Sequence, residues 1–292
     1  VRIDLHTHSR VSDGTQAPAE VIRQAAAQGL DVVALTDHDT TEGWAEAGTA
    51  AVEVGITLVR GLEISTKHNG QGVHLLGYLP DPTHEPLVAG LRKILDGRNS
   101  RIPAILERLN ELGIAIHADD VRRVAGAAAA TGRPHVADAL VALGVVRDRE
   151  QAFDELLSPG RPAYVNRYAA PLVEMIRILG EAGGVAVLAH PWGRHAPSGM
   201  TVDDIAGLQE VGLIGLEVDH QDHDPEARRA LAAIADDLDL VRTGSSDYHG
   251  TGKKDHELGC NTTEPEQFER LLSLAADAAA RSRRTVPEVV VP

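Results

Sequence analysis

Apolar and polar positions along this chain alternate between two rhythms. Short, nearly continuous apolar runs occur at Ile3–His8, Val32–Thr36, Ile56–Ile64, Gly72–Tyr78, Val185–Ala189, Leu213–Val218 and Leu240–Gly244. Runs of this length predict strands, most of them covered on both faces. Between them apolar residues return every three or four positions, as on one face of a helix. Such segments run Pro18–Gln28, about Thr41–Val54, Leu172–Glu181, Pro225–Asp236 and about Pro265–Ala280. Pro18 sits in the first turn of its helix, and Gly29 and Gly55 follow the ends of the first two, as helix termini favour. Asp39 followed by Glu42 predicts a capping box for the second helix. Strands joined mostly by helices make this an α/β fold.

The strand rhythm stops from about Glu85 to Phe153. Leu91, Ile94 and Leu95 form one helical stripe there, and Ile105, Leu109 and Leu112 another. The expected organisation is therefore an α/β domain from residues 1–84 and 166–280, with a helical insertion over 85–165. The basic, Pro- and Val-rich residues 281–292 are expected to be a mobile tail.

Composition narrows the class. A chain of 292 residues, 43% apolar, can bury one large core. It contains no run of about 18 apolar residues, so no membrane span is expected. The chain begins directly in a strand-like run, without a basic and then hydrophobic leader, which argues against export. Cys260 is the single cysteine, so no internal disulfide is available. These features suit the cytoplasm. The formal charge of −15 disfavours long nucleic acid as a partner, but not small anionic substrates. Carboxylates beside divalent cations also account for part of that charge.

Ligands of α/β folds gather at the carboxyl ends of the strands. There this sequence places Asp4-Leu5-His6-Thr7-His8, Thr36-Asp37-His38-Asp39, Gly61-Leu62-Glu63, Ala189-His190-Pro191 and Ser246-Asp247-Tyr248-His249. His6 and His8 are two apart on a strand and share a face. Asp13, in the following loop, adds a carboxylate. Glu63 ends an apolar run and suits a bridging role. His74 lies within Val73–Leu76. Each residue has a bland reading: a strand-end histidine bonded to backbone, a core histidine, a loop acid. Asp39 is read as a helix cap, and Asp37 as either a partner of a ligand or a bystander. The recurrence of imidazole and carboxylate at so many strand ends favours a hydrolytic centre of manganese, iron or zinc.

The motifs HTHS with SDG, TDHD, GLE, AHP and SDYH resemble those of the polymerase and histidinol phosphatase (PHP) superfamily. Arg133-Pro134-His135 and the Ser158–Val165 stretch resemble its small-phosphoesterase branch, whose bacterial members act on nucleoside 3′,5′-bisphosphates or on the 5′ ends of short RNA. The resemblance implies a distorted, TIM-like (β/α)7 barrel with three divalent ions. It implies that His6, His8, Glu63 and Asp247 hold one ion and Asp13, His38 and His249 a second. Glu63, His74 and His190 would hold the third, with Glu63 bridging.

The expected chemistry is attack on phosphorus by a hydroxide shared between two ions, with the cations cancelling the charge of a phosphate dianion. Arg133 and His135 are candidates for binding phosphate outside the metals, through the planar guanidinium fork. The alternative for Arg133 is a solvated position at a helix start. Arg161, Tyr164 and Arg194 are further substrate candidates, and His195 is a candidate acid for the leaving oxygen. Lys253, Lys254 and His256 are read as a basic rim. His68, His84, His117, His220 and His223 are read as surface or loop histidines, and Glu217 as an optional pocket residue. The leading function is removal of the 3′-phosphate from a nucleoside 3′,5′-bisphosphate. Alternatives are 5′→3′ hydrolysis of short 5′-phosphorylated RNA, histidinol phosphate hydrolysis, and a noncatalytic metal-binding module. The oligomeric state is left open.

Overall fold

A computed structural model describes residues 1–193, 200–285 and 289–291. Seven strands form one sheet in the order β1 (Ile3–Asp4), β2 (Val32–Leu35), β3 (Thr57–His68), β4 (Gln71–Tyr78), β6 (Val185–Leu188), β7 (Leu213–Asp219) and β8 (Val241–Gly244), with the short β5 (Ala170–Pro171) beside β3. Past the regular strands, Thr7 bridges Tyr248 in parallel, and the His8 N–H donates to the Tyr248 carbonyl at 2.8 Å. The first and last strands thereby meet, and the sheet curls into a nearly closed, distorted seven-stranded barrel.

The distortion lies at β4. Its neighbours pair with it antiparallel, whereas β1–β2, β2–β3, β6–β7 and β7–β8 are parallel. β3 and β4 form one long hairpin turned by Asn69 and Gly70, both with positive φ (47° and 83°). Two such residues are what a tight hairpin turn needs. Because β4 runs backwards, the residues at its start, not its end, lie at the mouth where the other strands finish.

Side-chain alternation sorts the core into two layers. Ile3, Leu5, Val32, Ala34, Val59, Leu76, Val185 and Val187 form one cluster with Phe268, Leu271 and Ala275 of the last helix, α11 (Pro265–Arg281). Val33, Leu35, Leu58, Leu62, Leu188 and Leu216 point the other way, into a cluster with the covering helices. These are α1 (Pro18–Ala27), α2 (Trp44–Val54), α3 (Glu85–Ser100), α8 (Leu172–Glu181), α9 (Val202–Glu210) and α10 (Pro225–Asp237). Full burial of each such aliphatic side chain contributes about 1.5–3 kcal/mol. Between α3 and β5 lie α4 (Ile102–Glu111), α5 (Ala118–Ala125), α6 (Arg133–Ala142) and α7 (Arg149–Ala152), the last continuing in a π-helical turn over Phe153–Leu157.

Several local expectations change. Leu87, Leu91 and Ile94 of α3 pack with Met175 in the barrel's outer cluster, whereas a separate core begins at Ile102 and includes Leu109, Val136, Leu140 and Leu157. The inserted helices thus share a core of their own from Ile102, not from Glu85. The capping box at Asp39 and Glu42 does not form, because Asp39 (φ 57°) turns its carboxylate to the Ser65 N–H and hydroxyl at 2.6 and 2.9 Å; α2 starts later, after Gly43. α9 was not anticipated, since Asp203, Asp204 and Gly207 dilute its apolar stripe. Thr201 and Asp204 cap it reciprocally. Near the C-terminus, Val290 pairs antiparallel with Leu58 (N–O 3.0 and 3.1 Å), so residues 289–291 are held against β3 rather than forming part of a free tail.

Gly215 on β7 has no room for a side chain: a Cβ there would lie 2.7 Å from the Val241 carbonyl oxygen. Gly215→Ala is expected to lower unfolding free energy by about 1–3 kcal/mol in denaturant melts. Gly72→Ala, where a Cβ meets nothing within 4 Å, is expected to cost less than about 0.5 kcal/mol.

Candidate metal centre

The barrel mouth gathers the nine side chains singled out as ligands. Glu63 lies at the centre, nearly fully buried. Its Oε2 is 3.3 Å from His6 Nε2, 3.2 Å from His8 Nε2 and 3.0 Å from His38 Nδ1. Its Oε1 is 2.7 Å from His74 Nδ1 and 3.1 Å from His190 Nε2. Asp247 Oδ1 approaches the same His6 and His8 nitrogens at 3.5 and 3.3 Å. Asp13 faces His249 Nε2 at 3.3 Å and His38 Nε2 at 3.6 Å. Four sets of donor atoms among the described residues each fit within 4.8 Å: His8, Asp13, His38 and His249; His6, His8 and Asp247; His38, Glu63 and His74; and His220, Asp247 and His256, the last drawing on two histidines outside the nine. His8 thus stands between two sets rather than in one. His74 enters from the first half of reversed β4, opposite Ser65, within the strand as expected.

The donor chemistry fits cations better than hydrogen bonding alone. His6 Nδ1 binds Glu217 Oε1 at 3.0 Å, which places its proton there. His6 Nε2 then presents a lone pair, yet it lies 3.0 Å from His8 Nε2. His249 Nδ1 donates to the Asp247 carbonyl at 2.8 Å, again freeing Nε2. One carboxylate cannot serve five imidazoles through protons alone, whereas shared divalent ions satisfy inward-facing lone pairs and carboxylates together. Backbone strain marks the same place: His190 and Asp247, neither a glycine, have φ of 26° and 51°.

The electrostatics follow from crowding. Burial would raise the Glu63 carboxyl, but His38, His74 and His6 hold it well below the usual range. Asp247 is held low in the same way by Lys253, His6 and His249. Burial opposes charge on His8, but Asp247 and Glu63 push it up to about 9, and His6 rises well above its ordinary value beside Asp247, Glu217 and Glu63.

Supporting residues lie around the ligands. Glu217, left optional above, is fully buried; its Oε1 also takes the Ser245 hydroxyl and its Oε2 accepts the His190 N–H at 2.8 Å. A carboxylate inside the apolar β7 run was the available signal. Asp37 accepts Ser9 N–H and hydroxyl and the Ser12 hydroxyl at 2.6–2.8 Å, fixing the loop that carries Asp13. Asp4 holds the Ser246 and Gly259 amides at 3.0 and 2.8 Å, with its carboxyl raised by burial to about 6. His220 and His223, in the loop after β7, and His256, in the loop after β8, are buried rather than surface or rim residues, because these polar stretches fold inward. His220 Nε2 lies 3.3 Å from Asp247, and Lys253 pairs with Asp247 as well.

The substrate candidates divide. Arg133 opens α6, half buried, with its guanidinium 5.4 Å from the rings of Phe153 and Tyr164 and a hydrogen bond to the Leu157 carbonyl at 2.9 Å. His135 accepts the Gly132 N–H through Nδ1 at 3.1 Å, leaving the proton on Nε2. Arg161 is exposed, and its side chain has no hydrogen bond or ion pair among the described residues. Arg194 and His195 lie outside the described residues.

Comparison with known proteins places this site in a family. The PHP domain family matches residues 4–118. A 3′,5′-nucleoside bisphosphate phosphatase of Chromobacterium violaceum is 38% identical over 258 residues, 88% of this chain and 90% of that protein. A 5′-3′ exoribonuclease of Haemophilus influenzae is 37% identical, over 85% and 90%. A solved structure from Bifidobacterium adolescentis, described as a metal-dependent phosphoesterase, superposes with a TM-score of 0.89 at 36% identity, covering 93% of this chain and 96% of that one.

The chain belongs to the PHP family. It is a hydrolase of phosphate esters that depends on divalent metal. No described helix is long and apolar enough to cross a membrane.

Two outcomes are expected of this PHP centre. Glu217→Gln removes the charge that orients His6 and should weaken divalent-cation affinity about 10–100-fold in calorimetric titration, with the circular dichroism unchanged. At pH 8 protonated His6 and His8 compete with cations. Binding of manganese should therefore release about one to two protons, read from titrations in buffers of different ionisation enthalpy, and affinity should rise with pH.

Proposed function

We propose that this PHP enzyme removes the 3′-phosphate from nucleoside 3′,5′-bisphosphates, leaving a nucleoside 5′-monophosphate. The observation that carries this reading is the pairing of one centre with one second cationic patch. The ligand cluster at the barrel mouth suits the scissile phosphate, and Arg133 with His135, at the start of α6, suits a phosphate further along the same small molecule. The Chromobacterium relative named for that activity supports it.

In this reading His6, His8, Asp13, His38, Glu63, His74, His190, Asp247 and His249 hold three divalent ions, manganese, iron or zinc. Ions held there supply positive charge against a phosphate dianion and make water acidic enough to attack near neutral pH. The chain's own residues set the rest. Glu63 offers one oxygen to each side of the cluster. Glu217 keeps His6 in one tautomer. Arg133 presents a planar fork to phosphate oxygens, and His135 a neutral N–H donor, its imidazole pushed down chiefly by burial. The inserted helices from Ile102 onward cover that side of the mouth and favour short substrates over long chains.

The second reading keeps the site and changes the leaving group: stepwise hydrolysis from the 5′ end of short RNA, supported by the Haemophilus relative. Specificity constants of the manganese-loaded protein separate the two. The panel is a nucleoside 3′,5′-bisphosphate, a nucleoside 5′-monophosphate, a 5′-phosphorylated oligoribonucleotide and histidinol phosphate. The bisphosphate should be the best substrate by at least about tenfold, and the reading fails if the oligonucleotide or histidinol phosphate exceeds it. Asp13→Asn and His249→Ala should each lower kcat by about 100-fold or more on whichever substrate is best.

A further inference from the structure

The inserted helices reach the metal centre through one side chain. Arg149 opens α7, directly after Asp148, whose carboxylate caps that helix at the Gln151 N–H. The guanidinium is nearly buried, and its Nε and Nη2 donate side by side to the Asp138 carboxylate of α6 at 2.5 and 2.6 Å. Its Nη1 crosses to the barrel and donates to the backbone carbonyl of Asp13 at 2.9 Å. Among the described residues no other hydrogen bond serves that carbonyl. The fork also packs against the turn that follows His249, where a Cβ on Gly252 would overlap Nη1 and Cζ. Two further bonds run beside it. The Ala129 N–H donates to the Val11 carbonyl at 2.9 Å, and Lys254 pairs with Asp148 at 2.7 Å. The insertion therefore grips both segments that carry Asp13 and His249.

Asp13 faces His249 and His38 at 3.3 and 3.6 Å, and with His8 these residues form one set of donors. The barrel fixes the start of the Asp13 loop through Asp37, whose contacts reach Ser9 and Ser12 but not the Asp13 backbone. Arg149 supplies that hold. It takes the carbonyl of Asp13 and leaves the carboxylate open, whereas a guanidinium on the carboxylate itself would compete with a cation for the same oxygens. Asp138 balances the charge of Arg149, so the fork adds little net repulsion beside bound cations. Burial opposes that charge, but Asp138 and then Asp13 outweigh it and hold the guanidinium above its ordinary value. Groups that orient a metal ligand in this way commonly contribute about 10–100-fold to affinity.

We propose that Arg149 is a positioning residue of the metal centre: carried by the inserted helices, it sets Asp13 for the cation shared with His8, His38 and His249. This rests on the reading of those four residues as one ion's site. The insertion thereby completes the centre as well as covering the mouth, through a residue outside both the ligand set and the substrate candidates.

The test uses the full chain, stripped of metal and titrated with manganese, with the free ion followed by electron paramagnetic resonance. Asp13→Asn defines the class of bound ion that depends on Asp13. Arg149→Met should weaken that same class about 10–100-fold and leave the other ions within about threefold of wild type. The double variant should bind within about threefold of Asp13→Asn alone, because both changes act on one ligand. Turnover by Arg149→Met should fall at low manganese and return to within about threefold of wild type at saturating manganese, with KM unchanged. A merely structural arginine would weaken every ion alike or none, and added manganese would not restore kcat; either result overturns the inference. Asp138→Asn keeps the size of the side chain and serves where Arg149→Met does not fold. It leaves the Arg149 charge uncompensated near the cations and should weaken the same class at least about threefold; no change there also overturns the inference. If Asp13→Asn alters no ion class, the ion assignment fails and the role of Arg149 with it. If the ions bind as expected but no phosphate ester of the panel is cleaved, the reaction assigned above fails and the role of Arg149 stands.

Discussion

One carboxylate organises this protein. The two oxygens of Glu63 lie within about hydrogen-bond distance of five imidazoles from four other segments of chain, three of them buried and those of His74 and His190 partly exposed. The outer nitrogens of His6 and His249 face Glu217 and the Asp247 carbonyl, so in the neutral rings the inner nitrogens present lone pairs to the cluster. Without cations the crowded acids favour protonation of His6 and His8, and shared divalent ions would take the place of those protons. The strain at His190 and Asp247 and the burial of Glu217 follow from holding those atoms together.

The barrel makes this convergence possible by an irregularity. A strictly parallel barrel would deliver ligands only from strand ends. Reversal of β4 brings His74 in from the first half of a strand, straight across from Ser65, and so adds an imidazole on the side of Glu63 away from His6 and His8. The same long hairpin carries Ser65 and, through it and Asp39, the contact with Arg98 of α3. One turn at Asn69-Gly70 thus sets both the metal cluster and the approach of the inserted helices.

Much of the fold, and the convergence of the nine singled-out side chains, was readable from the sequence, because both rest on local signals. Buried strands announced themselves as apolar runs, and α8 was bounded as predicted at Leu172–Glu181 because an uninterrupted apolar stripe defines it. The ligand residues stood out as polar types placed where apolar runs stop. What escaped depends on tertiary packing. Asp39 has the sequence of a helix cap but spends its carboxylate on Ser65 and Arg98. His256 follows no apolar run, and His220 lies just past the Leu213–Val218 run but was read as a loop histidine, since nothing local shows that its loop turns inward. Glu217 was visible but ambiguous, since its partner His6 lies 211 residues away. Arg149 looks like an ordinary cation at the start of a short helix, since the Asp13 carbonyl that it holds lies 136 residues away.

The central claim is that these nine side chains hold several cations in a single cluster. Diffraction from crystals grown with manganese, with data collected on either side of the manganese absorption edge, tests it most directly. The account predicts anomalous peaks between Glu63 and the surrounding His6, His8, His38, His74 and His190, bounded by Asp13, Asp247 and His249. A map with no peak in that pocket, or with its peaks elsewhere on the molecule, would contradict it.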